Sequence, residues 1–188
     1  MTQKLPYPLP INEEARLQVL DALKIFDTPP EEDFNLIVGL AAHLFQVPIA
    51  LVSLVGKDRQ CFKATVGLDV CGTGRDVSFC AHAILQDEVM IVEDAQRDPR
   101  FASNALVTGN PFIRFYAGAP LVASGGHKVG TLCIIDRVPR PALSDHDQIT
   151  LKRLARMVII RMHLRSLLNK QKNLIGNLFG ADAVKEPA

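Results

Sequence analysis

The sequence predicts an α+β domain built on one mostly antiparallel sheet of about five strands, with helices at both ends of the chain. Two observations carry that prediction: helically spaced apolar residues occupy both ends, and the middle holds two pairs of apolar, β-branched runs, each joined by a short turn. At 188 residues and 48% hydrophobic composition, the chain can bury one substantial core but is short for two.

Asn12 stands before EEARLQVLDALKIF, where Leu17, Leu20 and Leu23 follow helical spacing and Glu13 and Glu14 complement the helix dipole. Asn12 is therefore expected to open a helix ending near Phe26. Asp27-Thr28-Pro29-Pro30 breaks the chain, and a second helix over 31–45 puts Phe34, Ile37, Val38, Ala41, Leu44 and Phe45 on its apolar side. Residues 48–55 read as a buried strand, Gly56-Lys57-Asp58 as a turn, and 60–66 as the partner strand. A glycine-bearing loop over 67–74 follows, then a short helix capped by Asp76 or Ser78 and ending near Gln86. A strand is expected over 89–92.

Residues 93–111 carry Asp98-Pro99 and Gly109-Asn110-Pro111 and make a connection long enough to suggest a functional loop. Two strand-like runs, 113–122 and 128–136, are joined by Ser124-Gly125-Gly126-His127 as a second hairpin. The final helix is expected over 143–168. Ser144 and Asp147 stand at capping-box spacing, and Leu151, Leu154, Ala155, Val158 and Met162 lie on one side. The domain thus spans 12–168, preceded by an extension over 1–11 and followed by a polar tail over 169–188 whose end is expected to be disordered.

The 21 basic and 20 acidic residues nearly cancel, which points away from nucleic acid as the main partner. The amino terminus, MTQKLPYPLP, holds three prolines and no apolar run, so it reads as neither a signal peptide nor a membrane span. The longest apolar stretch, 47–55, falls well short of the roughly 20 residues a spanning helix needs. A cytoplasmic protein without membrane attachment is expected. Cys61, Cys71, Cys80 and Cys133 form no CxxC pair, which argues against a disulfide framework and a structural zinc site; free thiols and no metal are expected.

The stretches FDTPPEEDFNLIVGLAAHLFQVPIALVSLV, RDVSFCAHAI, VEDAQRDPRFASNALV, IRFYAGAPL and GTLCIIDRVPR, taken in order over about 26–162, resemble a GAF domain of the bacterial signalling type, as found with histidine kinases and diguanylate cyclases. The resemblance implies a GAF/PAS-like fold: a central antiparallel sheet of about five or six strands, long terminal helices on one face, and a loop-covered pocket on the other. It implies a non-catalytic module that senses a small molecule and acts in signal transduction through a signalling output protein. About 20 residues follow the expected final helix, too few for a catalytic module. The chain therefore reads as a stand-alone sensor or a segment of a longer protein.

The expected pocket wall comprises Arg75, Ser78, Cys80, His82, Arg114 and Tyr116. If Ser78 caps the short helix, Cys80 lies in its first turn, where free N–H groups favour a thiolate; the alternative is a buried apolar thiol packed on Ile84. His82, two residues on, diverges from Cys80 by about 200° on a helix, which argues against a shared metal. It is a ligand contact to a polar group or to haem iron, or else a structural histidine. Arg75 and Arg114 either meet an anionic ligand or form internal salt bridges, for instance with Asp76, Asp94 or Asp98. Gly72-x-Gly74 is no nucleotide fingerprint.

Cys71 departs from the resembled sub-type, which usually has a polar residue there. A redox pair of Cys71 and Cys80 is one possibility. Convergence of Cys61, Cys71 and Cys80, as in the GAF-fold reductases of free methionine sulfoxide, is another. No cofactor is specified, and nothing strongly matches a bilin site. The terminal helices, 11–26 and 143–168, are expected to form a homodimer; a ligand-free dimerisation or interaction domain is the alternative function.

Overall fold

The computed structural model describes residues 7–179. Helices α1 (Glu13–Ala22) and α2 (Glu32–Phe45) precede strands β1 (Ile49–Val55), β2 (Arg59–Val66) and β3 (Gly72–Gly74). The single-turn helix α3 (Phe79–Ala83), strand β4 (Met90–Val92) and another single turn, α4 (Ala105–Thr108), follow. Strands β5 (Phe115–Val122) and β6 (Lys128–Asp136) and the long helix α5 (Asp145–Phe179) complete the order. The six strands form one sheet in the order β3-β2-β1-β6-β5-β4, with every neighbouring pair antiparallel. This is the expected α+β architecture, with β3 added from the stretch expected to be a loop.

Both faces of the sheet are covered, so β1, β5 and β6 are buried almost throughout rather than alternating with solvent. Ala50, Val52 and Leu54 of β1, Ala117 and Ala119 of β5, and Leu132 and Ile134 of β6 face α1, α2 and α5. Leu20, Phe34, Val38, Leu151, Leu154 and Val158 of those helices close that core. The alternate residues Ile49, Leu51, Tyr116, Cys133 and Ile135 face α3 and the long connection, where Phe79, Phe101 and Val107 pack. Phe101 stacks on Phe79 with ring centroids 3.9 Å apart and so clamps the connection to α3.

The helix termini differ from expectation in specific ways. Asn12 precedes α1 without capping it; its side-chain amide lies 3.3 Å from His127 Nδ1. The helix stops at Ala22 because Lys24 and Asp27 take left-handed φ values of 48° and 59°. Ser144 Oγ accepts from the Asp147 N–H at 3.2 Å, the expected cap of α5. Helix α5 then continues past Leu168 to Phe179, across the boundary expected for the polar tail. Of the N-terminal extension, Tyr7 is docked: its hydroxyl donates to the Lys57 carbonyl at 3.2 Å and its ring lies over the Arg75 guanidinium. The end of the expected tail, 180–188, lies outside the described residues. Among those described, no helix is long and apolar enough to cross a membrane.

Candidate ligand-binding cavity

A cavity of about 290 Å³ opens on the sheet face opposite the long helices. Leu51, Phe62, Tyr116, Cys133 and Ile135 form its floor, and Phe79 and Cys80 of α3 form one wall. The glycine-bearing loop supplies Gly67 to Val70, while the long connection supplies Leu106, Asn110, Pro111 and Ile113. That connection roofs the cavity.

Polar groups enter this apolar shell at two places. At the inner end, Gln60 is 3% exposed and acts as a hub. Its Oε1 accepts from Ser53 Oγ at 2.9 Å and Ser78 Oγ at 2.6 Å, and its Nε2 donates to Thr73 Oγ1 at 2.7 Å. Ser78 also caps α3 by accepting from the Ala81 N–H at 3.0 Å. A side-chain network satisfied in this way holds its members in one geometry. At the mouth, Arg137 and Asp69 are exposed, and Arg137 Nε donates to the Pro111 carbonyl at 3.2 Å.

Two thiols meet at the bottom. Cys80 Sγ lies 4.0 Å from Cys133 Sγ and receives the Tyr116 hydroxyl at 3.5 Å. Burial alone would push the Cys80 thiol up, but the contacts from Cys133 and Tyr116, with the Thr131 and Ser53 hydroxyls close by, outweigh it and hold it below the ordinary thiol range. Cys133 is pushed well above the ordinary thiol range by burial and by the neighbouring Cys80 sulfur. Burial and the same sulfurs also raise the Tyr116 phenol.

Of the residues expected in the wall, Cys80 and Tyr116 line the cavity and Ser78 stands behind it through Gln60. Arg75 does not line it. The Arg75 side chain is fully buried, with Nη1 donating to Glu13 Oε1 at 2.5 Å and to the Gly56 carbonyl at 2.8 Å. The internal ion pair therefore holds, with Glu13 in place of the nearby aspartates. Arg114 is likewise outside, forking onto Asp94 at 2.8 and 2.9 Å. His82 packs edge-on against Phe101 with centroids 4.9 Å apart. Its pKa is lowered by burial and by the Arg100 cation, against the pull of Asp98. It lies outside the cavity lining.

Cys61, Cys71 and Cys80 do not converge. Cys71 is exposed, and Cys61 lies on the face of β2 opposite Gln60 and Phe62, beside Asp27. Cys80's sulfur partner is Cys133, which sequence reasoning missed together with Gln60 and Arg137. A signal was present: in the second hairpin, Gly118 pairs with Cys133 and Tyr116 with Ile135, so the register alone puts Cys133 on the tyrosine's face. Among the described residues, no cluster of three or more His, Cys, Asp or Glu side chains could hold a metal ion.

Comparison with known proteins follows the same geometry. The solved GAF domain of an Acinetobacter phosphoenolpyruvate-protein phosphotransferase matches with a TM-score of 0.58 at 16% identity, covering 83% of this chain and 98% of that one. A free methionine-R-sulfoxide reductase from Neisseria meningitidis, solved with its substrate, matches with a TM-score of 0.59 at 16% identity, covering 88% and 98%. Both likenesses concern the fold. A cyclic di-GMP phosphodiesterase of Pseudomonas aeruginosa is 46% identical over 160 residues, which are 85% of this chain and 27% of that protein. The chain thus spans about a quarter of that curated relative's length. The sequence profile described as GAF domain matches residues 29–162, and with the six-stranded sheet and its flanking helices it establishes that the chain belongs to the GAF domain family.

Proposed function

We infer that this chain is a regulatory module of signal transduction that takes a metabolite-sized molecule into the cavity and reports its presence through α2 and α5. The observation that carries this reading is the cavity, whose apolar shell has one fixed polar end at Gln60 and Thr73 and a charged rim at Arg137 and Asp69. Such a combination orients a ligand as well as burying it. Strands β1, β5 and β6 supply the floor on one face and pack against α2 and α5 on the other. A ligand that shifts the floor therefore shifts the seat of those helices.

The cavity lies at the small end of the roughly 300–1,000 Å³ typical of ligand sites. It suits a single metabolite better than a cyclic dinucleotide. The similarity to a cyclic di-GMP phosphodiesterase accordingly supports cyclic di-GMP turnover as the regulated output, not the sensed molecule. The test is a thermal-shift screen with a metabolite panel, followed by titration of wild type and Gln60→Leu. A ligand at about 100 times its Kd adds roughly 2.7 kcal/mol of stability to wild type, and less to the variant. Absence of any shift, with no molecule retained in native mass spectrometry, would sink the sensing role.

A homodimer is part of the same reading, supported by apolar side chains left in solvent. Leu36, Leu40 and Leu44 form a stripe at four-residue spacing on α2, beside exposed Met157, Ile160 and Leu164 on α5. Within α1, Leu20 is spent on the core, so α2 takes the place first assigned to α1 in the interface. Sedimentation at micromolar concentration should give twice the monomer mass; a monomer removes this part of the reading.

A further inference from the structure

Cys80 and Cys133 border the same cavity from two different elements, α3 and β6. We propose that they form a dithiol site for small hydroperoxides, in which Cys80 is oxidised first and Cys133 closes on it as a disulfide. This does not depend on the cavity's metabolite. Cys80 retains 3% exposure and Cys133 none, so a molecule arriving through the cavity meets Cys80 first. The Tyr116 hydroxyl already donates to Cys80 Sγ. Close by, the Thr131 hydroxyl is buried without a hydrogen-bond partner, a donor free to turn to a thiolate. The sulfurs are 4.0 Å apart and must reach about 2.05 Å, a closure of about 2 Å. Cys80 is carried by α3, a single turn of five residues, and Cys133 by β6, so the approach falls to the two side chains.

The chemistry balances with the hydroperoxide as the oxidant. The Cys80 thiolate attacks the terminal peroxide oxygen; the O–O bond breaks, a sulfenic acid forms, and the alkoxide leaves as an alcohol after taking a proton. Cys133 sulfur then attacks the sulfenic sulfur, the S–O bond breaks, and hydroxide leaves as water with the Cys133 proton. Two thiols and one hydroperoxide give one disulfide, one alcohol and one water. The bond pins α3 to the cavity floor and closes space that a ligand would occupy.

The test uses the whole reduced chain treated with one equivalent of hydrogen peroxide, alkylated after denaturation and mapped without reduction. Wild type and Cys71→Ser should each lose two alkylatable thiols and yield a peptide linking Cys80 to Cys133. Cys133→Ser should instead accumulate a Cys80 sulfenic acid trapped by dimedone. The proposal is overturned if Cys80 remains alkylatable while peroxide is consumed, or if the recovered disulfide contains Cys71. The wild-type map decides even if Cys133→Ser fails to fold. Metabolite binding by reduced protein, measured separately, distinguishes failure of this site from failure of the sensing role.

Discussion

Glu13→Gln should be more damaging than removal of the arginine it holds. Glu13 Oε1 accepts from Arg16 Nη2 at 2.7 Å and from Arg75 Nη1 at 2.5 Å, while Oε2 accepts from Arg16 Nε at 2.8 Å. The two guanidiniums are 1% and 0% exposed, so one carboxylate neutralises two buried cations. Neutralising Glu13 leaves both without a counter-charge, a loss of about 3–5 kcal/mol for a fully buried pair. Glu13 itself is 17% exposed, and each arginine keeps a backbone carbonyl, Val55 for Arg16 and Gly56 for Arg75. The lower end, about 3 kcal/mol, is therefore expected, or roughly 1.5 M in urea midpoint for an m value near 2 kcal/mol/M.

Arg75→Met keeps the Glu13–Arg16 pair and removes a group whose Nε has no partner, so it should cost only about 1–2 kcal/mol. The pH dependence has a defined sign. Burial pushes the Glu13 carboxyl up, but the hydrogen bonds from Arg16 and Arg75 prevail and hold it below its ordinary 4.5. Its contribution is therefore present above that value and lost as pH falls through the lowered one. Urea unfolding of wild type and both variants, at neutral pH and in steps into acid, reads all of this. Glu13→Gln within about 0.5 kcal/mol of wild type, or less harmful than Arg75→Met, would refute the charge argument.

Three further variants probe the cavity and the helix face. Gly118→Ala would put a Cβ 2.3 Å from the Tyr116 hydroxyl, so it should cost about 1–3 kcal/mol and alter the near-UV circular dichroism of a chain with two tyrosines and no tryptophan. An unchanged tyrosine band would mean that the phenol does not lie there. Gln60→Leu strands the Ser53 and Ser78 hydroxyls and should cost about 2 kcal/mol in a thermal or urea melt; a neutral effect would show that the hub is dispensable. Leu40→Glu with Leu164→Glu puts charge on the exposed apolar strip and should give a monomer in sedimentation without loss of fold by far-UV circular dichroism.

What the sequence disclosed follows from which interactions are local. Strand β6 was legible to the residue because an apolar run ends against the Gly125-Gly126 turn, and both glycines adopt the positive φ such a turn demands, 70° and 78°. Strand β3 was not, because Gly72-Thr73-Gly74 has no apolar pattern and is a strand only by pairing with β2. The far half of α5 has little buried surface, so no periodicity marked its continuation beyond Leu168. In the site, Cys80 and Tyr116 lay in recognisable motifs, while Gln60 and Cys133 entered only through strand register. Arg75 was misplaced because its partner, Glu13, lies 62 positions away on a helix read as an independent element.

Helix α5 is held near its middle, where Arg165 Nε donates to Glu31 Oε1 at 2.6 Å and Arg165 Nη1 to the Lys24 carbonyl at 2.7 Å. From there to Phe179 it reaches about 20 Å further at 1.5 Å per residue. A tilt of about 10° at that fulcrum would sweep the far end through roughly 4 Å, about two-thirds of a helical pitch. The overhang is therefore a lever arm: any rotation of α5 about that fulcrum is carried to Phe179 without a contact between the overhang and the cavity.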